Sequence, residues 1–174
     1  MRYKKYIIGI IFIAALFILC LIFIPIVRNN ILLNQYAAQL YRIQLPPNTI
    51  KISQDKAVGN FYGTGNHLDF VATIVIQSSL SELDLTTYFD EFKPEVKSVD
   101  EISLFGLNTH YPDTDIDHTI QEIEVIPKSQ AKETDISSKI YMKDVAKIKD
   151  ADDDLFIVQI KDTHYAPGWD IRAH

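Results

Sequence analysis

The chain has 174 residues and a net charge of −6, an average that hides two unlike parts. The first 28 residues carry four basic side chains and no acidic one, whereas residues 29–174 carry 13 basic against 23 acidic side chains, a net charge of −10. So acidic a surface repels the phosphate backbone and argues against nucleic acid as a partner.

Residues 1–5 form a short basic N-terminus, expected to be cytoplasmic, and from Tyr6 to Val27 the sequence holds no charge. Sixteen of those 22 positions are Ile, Leu, Phe or Val, enough helix to cross about 33 Å of hydrocarbon. On the translocon scale these side chains sum to about −5 to −8 kcal/mol in favour of insertion. A cleaved secretory signal would need a shorter apolar run and small residues at its end. The nearby small pair, Ala37-Ala38, lies well beyond the run. A lipoprotein signal is disfavoured too, because Cys20 follows Leu19 inside the segment. The expectation is therefore one transmembrane helix acting as an uncleaved signal-anchor in the lipid bilayer. Arg2, Lys4, Lys5 and the α-amino group precede it, and only Arg28 and Arg42 follow at short range. The positive-inside rule then places the C-terminal domain outside the plasma membrane. Cys20 is the sole cysteine, so the exported part can form no disulfide, which fits a bacterial cell envelope.

Over residues 28–45, Ile31, Leu32, Leu33, Tyr36, Ala37, Leu40 and Tyr41 recur at three- and four-residue spacing. That period predicts an amphipathic stalk helix, ended by Pro46-Pro47. Residues 46–174 contain no repeat or low-complexity linker and suffice for one core. Ile50 to Ser53 and Val58 to Tyr62 read as short strands. Leu68 to Ser78 reads as a central strand, with Leu68, Phe70, Ala72, Ile74 and Ile76 on one face and Val71 and Val75 on the other. Between them, Gly63-Thr64-Gly65-Asn66 offers the positive-φ positions of a hairpin loop. Ser81 and Asp84 form a capping-box pattern before a short helix bearing Leu85, Tyr88, Phe89 and Phe92, ended by Lys93-Pro94. Ile120 to Ile126 and Leu155 to Lys161 read as further strands, and Ile136, Ile140, Tyr141, Val145 and Ile148 fit a helix. The fold class is α+β: a small, mainly antiparallel sheet with one or two covering helices.

Candidate chemistry is sparse. Asp113, Asp115, Asp117 and Glu124 fall at positions 1, 3, 5 and 12 of a calcium-loop template, and Ile120 suits position 8. His118, however, stands where glycine makes the sharp turn, and Pro112 opposes an entering helix. A solvated acidic loop leading into a strand is the competing reading. Asp150, Asp152, Asp153 and Asp154 form a second acidic cluster, with Lys161 where the template wants glutamate. The five histidines lack the short spacings of zinc ligands, and no serine-nucleophile or phosphate-loop signature is present. Near the C-terminus, Trp169 and Arg172 combine residue types enriched in binding hot spots. Closing off a sheet edge is the alternative role for that stretch.

From Gly59-Asn60 through Gly63-Thr64-Gly65-Asn66-His67-Leu68-Asp69-Phe70, and again at Trp169-Asp170-Ile171-Arg172, the sequence resembles uncharacterised single-pass membrane-anchored proteins of Gram-positive bacteria. The resemblance covers the region after Pro46-Pro47 and implies a location rather than an activity. Three functional expectations follow. The first is a tethered extracytoplasmic module binding an unknown envelope protein or ligand. The others are an envelope enzyme, such as a metal-assisted hydrolase built on the carboxylates of residues 113–124, and a structural or immunity-type envelope component.

Overall fold

The computed structural model describes residues 2–61, 68–92, 97, 123–127, 130 and 154–165. Its elements in chain order are α1 (Arg2–Tyr41), β1 (Thr49–Gly59), β2 (Leu68–Ser78), α2 (Glu82–Asp90), β3 (Ile123–Pro127) and β4 (Leu155–Tyr165). The strands form one antiparallel sheet in the order β1-β2-β4-β3. The expected α+β class is the observed one.

The helix α1 is a single 40-residue element with two environments. Every side chain from Tyr6 to Ile24 is exposed, although this is the most apolar part of the chain. The helix is long and apolar enough there to cross a membrane. It runs on through Pro25, which has no N–H to give to the carbonyl one turn earlier. Beyond that point the same helix turns inward. Leu32, Leu33, Tyr36, Ala37 and Leu40 are buried in the main core, against Leu68, Phe70, Ala72, Ile74 and Ile76 of β2 and Phe156, Val158 and Ile160 of β4. The 28–45 segment is thus no free-standing stalk. Its apolar stripe is the layer that covers the sheet. Burying its three leucines and the tyrosine contributes about 1.5–3 kcal/mol each, together comparable to the whole stability of a typical domain.

α1 ends at Tyr41, short of the proline pair. Its last carbonyls are taken up locally, with Arg42 N–H donating to Ala38 O (3.2 Å) and Ile43 N–H to Leu40 O (3.2 Å). Asn48 then adopts a left-handed conformation (φ 59°) that asparagine tolerates, and the chain enters β1. β1 is one continuous strand, not the two short ones that the apolar residues suggested. Its polar middle, Gln54 to Ala57, pairs with Ile74 to Val71 all the same, because an edge strand can turn polar side chains to water while its backbone bonds to the neighbour. A bulge between Lys51 and Ser53 admits Ile52 as the extra residue.

β2 has the bounds that its alternation predicted and lies inside the sheet, buried on both faces. β1 and β2 form the expected hairpin, closing at the Gly59–Asp69 pair. The Gly63–Asn66 part of its loop lies outside the described residues. The Phe61 ring packs over Gly59, where a Cβ would fall 2.7 Å from the ring and push it aside. At the start of α2, Ser81 makes the full capping box: its hydroxyl accepts from Asp84 N–H (3.2 Å), and the Asp84 carboxylate reaches back to Ser81 N–H (3.4 Å). Leu85 and Phe89 of α2 join the same core as α1, so both helices cover one face of the sheet. Three long-range hydrogen bonds fasten this layer. Tyr88 Oη donates to Gln44 O (2.8 Å), and the Gln39 side chain holds the backbone of Lys97 by two hydrogen bonds (2.9 and 2.7 Å). The helix expected around Ile136 to Ile148 lies outside the described residues.

Candidate functional site

The face of the sheet turned away from both helices is where polar chemistry collects. Pairing partners in adjacent antiparallel strands share a face. Asp55 pairs with Thr73, Thr73 with Gln159, and Gln159 with Glu124, so one transverse row crosses all four strands. Lys161 stands next to that row, opposite Val71. Below it lies a small apolar group of Val75, Ile157, Ile52 and Ile126.

Thr73 and Gln159 are each only 1% exposed, a depth at which polar groups need partners. The Thr73 hydroxyl donates to Asp55 O (3.3 Å). The Glu124 carboxylate accepts from Gln159 Nε2 on one oxygen and from Lys161 Nζ on the other. Gln159 Oε1 is left without a hydrogen-bond partner among the described residues. The Glu124–Lys161 pair is about a quarter exposed on both sides, so water screens it and its contribution is small. The row therefore combines a partly exposed ion pair with a buried amide and a buried hydroxyl.

On the helix-covered face, two tyrosines are electrostatically distinctive. Tyr36 is fully buried and packs edge-on to Phe70 (ring centroids 6.4 Å). Burial, and then the nearby Asp162 carboxylate, hold its hydroxyl well above the usual tyrosine pKa. Its Oη has no hydrogen-bond partner among the described residues. Tyr41 Oη donates to Asp55 O (2.7 Å), and burial, then the negative charge of Asp55, pushes its pKa up to about 12.

Of the residues nominated from the sequence, Glu124 lies in β3 with its carboxylate engaged as above. Asp113, Asp115 and Asp117 lie outside the described residues, as do Trp169 and Arg172. Among the described residues, no group of three His, Cys, Asp or Glu side chains is placed to hold a metal ion. In the second acidic cluster, Asp154 is described, and its backbone carbonyl accepts from Ser78 N–H (2.9 Å), joining the start of β4 to the end of β2. Cys20 is exposed on the apolar part of α1.

Thr73 and Gln159 were not singled out from the sequence, and Glu124 was nominated there only as a calcium ligand, not as a member of this row. The only signal for them is a polar residue recurring on the second face of two strongly apolar strands, and it becomes a row only when the register is known. Compared with protein families, with curated proteins and with solved structures, the chain matches none.

Proposed function

We propose that this chain is a single-pass membrane protein whose residues 6–27 anchor it in the plasma membrane and whose remaining C-terminal part is an extracytoplasmic module that binds an envelope protein or ligand. One observation carries the reading: a single helix whose first half is bare and almost wholly apolar and whose second half is built into the core of an ordinary domain. Water does not tolerate a bare apolar surface of that length, and lipid does. The basic residues Arg2, Lys4 and Lys5 before the run, against Arg28 after it, support a cytoplasmic N-terminus.

A rigid tether of this kind raises the effective concentration of the module at the membrane, so that modest affinity for a co-resident partner suffices. On the sheet face turned away from the two described helices, Glu124 and Lys161 are about a quarter exposed, and their charged groups are within reach of a polar partner. The test is cross-linking in intact cells with a photoreactive group introduced on the exported domain. A recurrent envelope partner, lost when residues 1–28 are replaced by a cleavable export signal, is the expected result. Recovery of no recurrent partner from any position would overturn the binding role.

A further inference from the structure

The end of the apolar run is not bare. Side chains are exposed through Ile24, but Pro25, Ile26 and Arg28 are half-buried and Asn29 is 1% exposed. The folded part of the protein therefore starts to shield α1 before the uncharged run finishes at Val27. At 1.5 Å per residue, Val27 and Asn29 are about 3 Å apart along the helix axis, which leaves no spacer between anchor and domain.

The direction of the strands then decides which part of the domain lies at that level. α1 rises from Val27 to Tyr41, and the chain turns into β1 at the far end. Tyr41 meets Asp55, Asn34 meets Lys56, and Tyr36 meets Phe70, the partner of Val58. Moving along β1 thus means moving back down α1 toward the apolar run. The hairpin end of β1 and β2, with Asn60 and Phe61, sits at the same end of the sheet as the last residues of β4, because Leu68 pairs with Tyr165. From Tyr36 to Asn29 is about 10 Å of helix, and from Phe70 to the end of β2 at Leu68 is about 7 Å of strand. The hairpin end is therefore level with Asn29 to within about one helical turn.

The polar layer outside the hydrocarbon is only about 5–8 Å deep on each side. Resting on the anchor reading above, we infer that the hairpin end of the sheet is seated in the lipid headgroup layer, so that the domain is docked on the bilayer and not held away from it. Its described residues suit that place. Asn30 is exposed and Arg28 and Asn60 are half-buried, each with a partner inside the protein, and they bring to this level the guanidinium and amide groups found among lipid headgroups, while the half-buried Phe61 brings an aromatic ring. Of the acidic residues described at that end, Asp69 is fully buried and receives the Phe61 N–H (2.6 Å), and Asp162, opposite Phe70, is half-buried on the helix-covered face. The opposite end, where Leu83 is 75% exposed at the start of α2, is the length of β1 away, about 33 Å.

The experiment uses the full chain in nanodiscs of phosphatidylcholine with phosphatidylglycerol. Single spin labels are placed, in a Cys20→Ser background, at Phe12→Cys, Asn60→Cys and Leu83→Cys. The readout is the ratio of collision with lipid-soluble oxygen to collision with a water-soluble nickel chelate. The expected order is Phe12 highest, Asn60 several-fold above Leu83, and Leu83 equal to a label in bulk water. A bilayer value at position 12 with bulk-water values at both 60 and 83 overturns the docking and leaves the anchor intact. A bulk-water value at position 12 overturns both. If Asn60→Cys fails to fold, Phe61→Trp in a Trp169→Phe background replaces it. Its fluorescence should then be quenched by headgroup-labelled lipid, and absence of quenching likewise overturns the docking.

Discussion

Tyr36 and Tyr41 lie five residues apart on one helix, the first fully buried in the core and the second half-buried at its edge, and their hydroxyls are in opposite situations. Tyr41 Oη has an acceptor in Asp55 O, while Tyr36 Oη has none among the described residues. Replacing a paired hydroxyl loses a net hydrogen bond, and replacing an unpaired one removes a desolvated group at no loss. Tyr41→Phe should therefore destabilise by about 1 kcal/mol, while Tyr36→Phe should be neutral or stabilising, as read from thermal unfolding of the full chain in detergent micelles. Both hydroxyls have pKa values raised above 10, which means that the folded state favours the neutral form. Their contribution is fully present below pH 10 and is lost as pH rises through the folded-state values, beginning with Tyr41 between 10 and about 12. A stability profile of Tyr41→Phe that falls less steeply than the native one over that window would confirm the assignment. Ser81 offers a third residue-scale test. Ser81→Ala removes the hydroxyl half of the capping box, leaving the Asp84 carboxylate on the backbone N–H of residue 81, and should cost about 1 kcal/mol, within the 0.5–2 kcal/mol usual for N-caps. The cap was legible in the sequence because its signal is local. The buried row of Thr73 and Gln159 was not, because its meaning depends on strands 80 or more residues apart.

At the level of elements, α1 is where sequence and structure diverge most usefully. The three- and four-residue spacing of Leu32, Leu33, Tyr36, Ala37 and Leu40 correctly marked one apolar face, but periodicity cannot say what that face meets. A stalk and a core helix have the same pattern. β2 was legible to the residue because it is a continuous apolar run between glycine-rich and capping signals. β1 was not, since its polar centre is held by the ladder to β2 and not by side-chain burial. The candidate calcium carboxylates stay a sequence expectation, with only Glu124 among the described residues, hydrogen-bonded to its own sheet. The place of α1 in the core makes a sharp prediction. A fragment beginning at Asn29 keeps every buried residue of α1 and should be soluble and unfold cooperatively. A fragment beginning at Arg42 loses about 6–12 kcal/mol of gross burial by the usual area scale and should aggregate. Cooperative unfolding of the Arg42 fragment would show that the helix is a stalk after all.

Considered as a whole, the molecule is organised along one axis. A bare apolar half-helix leads without a spacer into a helix that serves as the lid of a four-stranded sheet. On the anchor reading proposed above, a join without a spacer transmits the orientation of the anchor to the domain, so the side of the membrane on which the helix ends decides what the domain can meet. The two flanks differ by Arg2, Lys4 and Lys5 before the run against Arg28 after it, a modest asymmetry on which the positive-inside rule acts. The most direct measurement is a pair of C-terminal fusions expressed in living bacteria, one to an enzyme that matures only outside the cytoplasm and one to a fluorescent protein that matures only inside. Activity of the first with silence of the second is the predicted outcome. Fluorescence of the second, or recovery of either fusion from the soluble fraction, would contradict it.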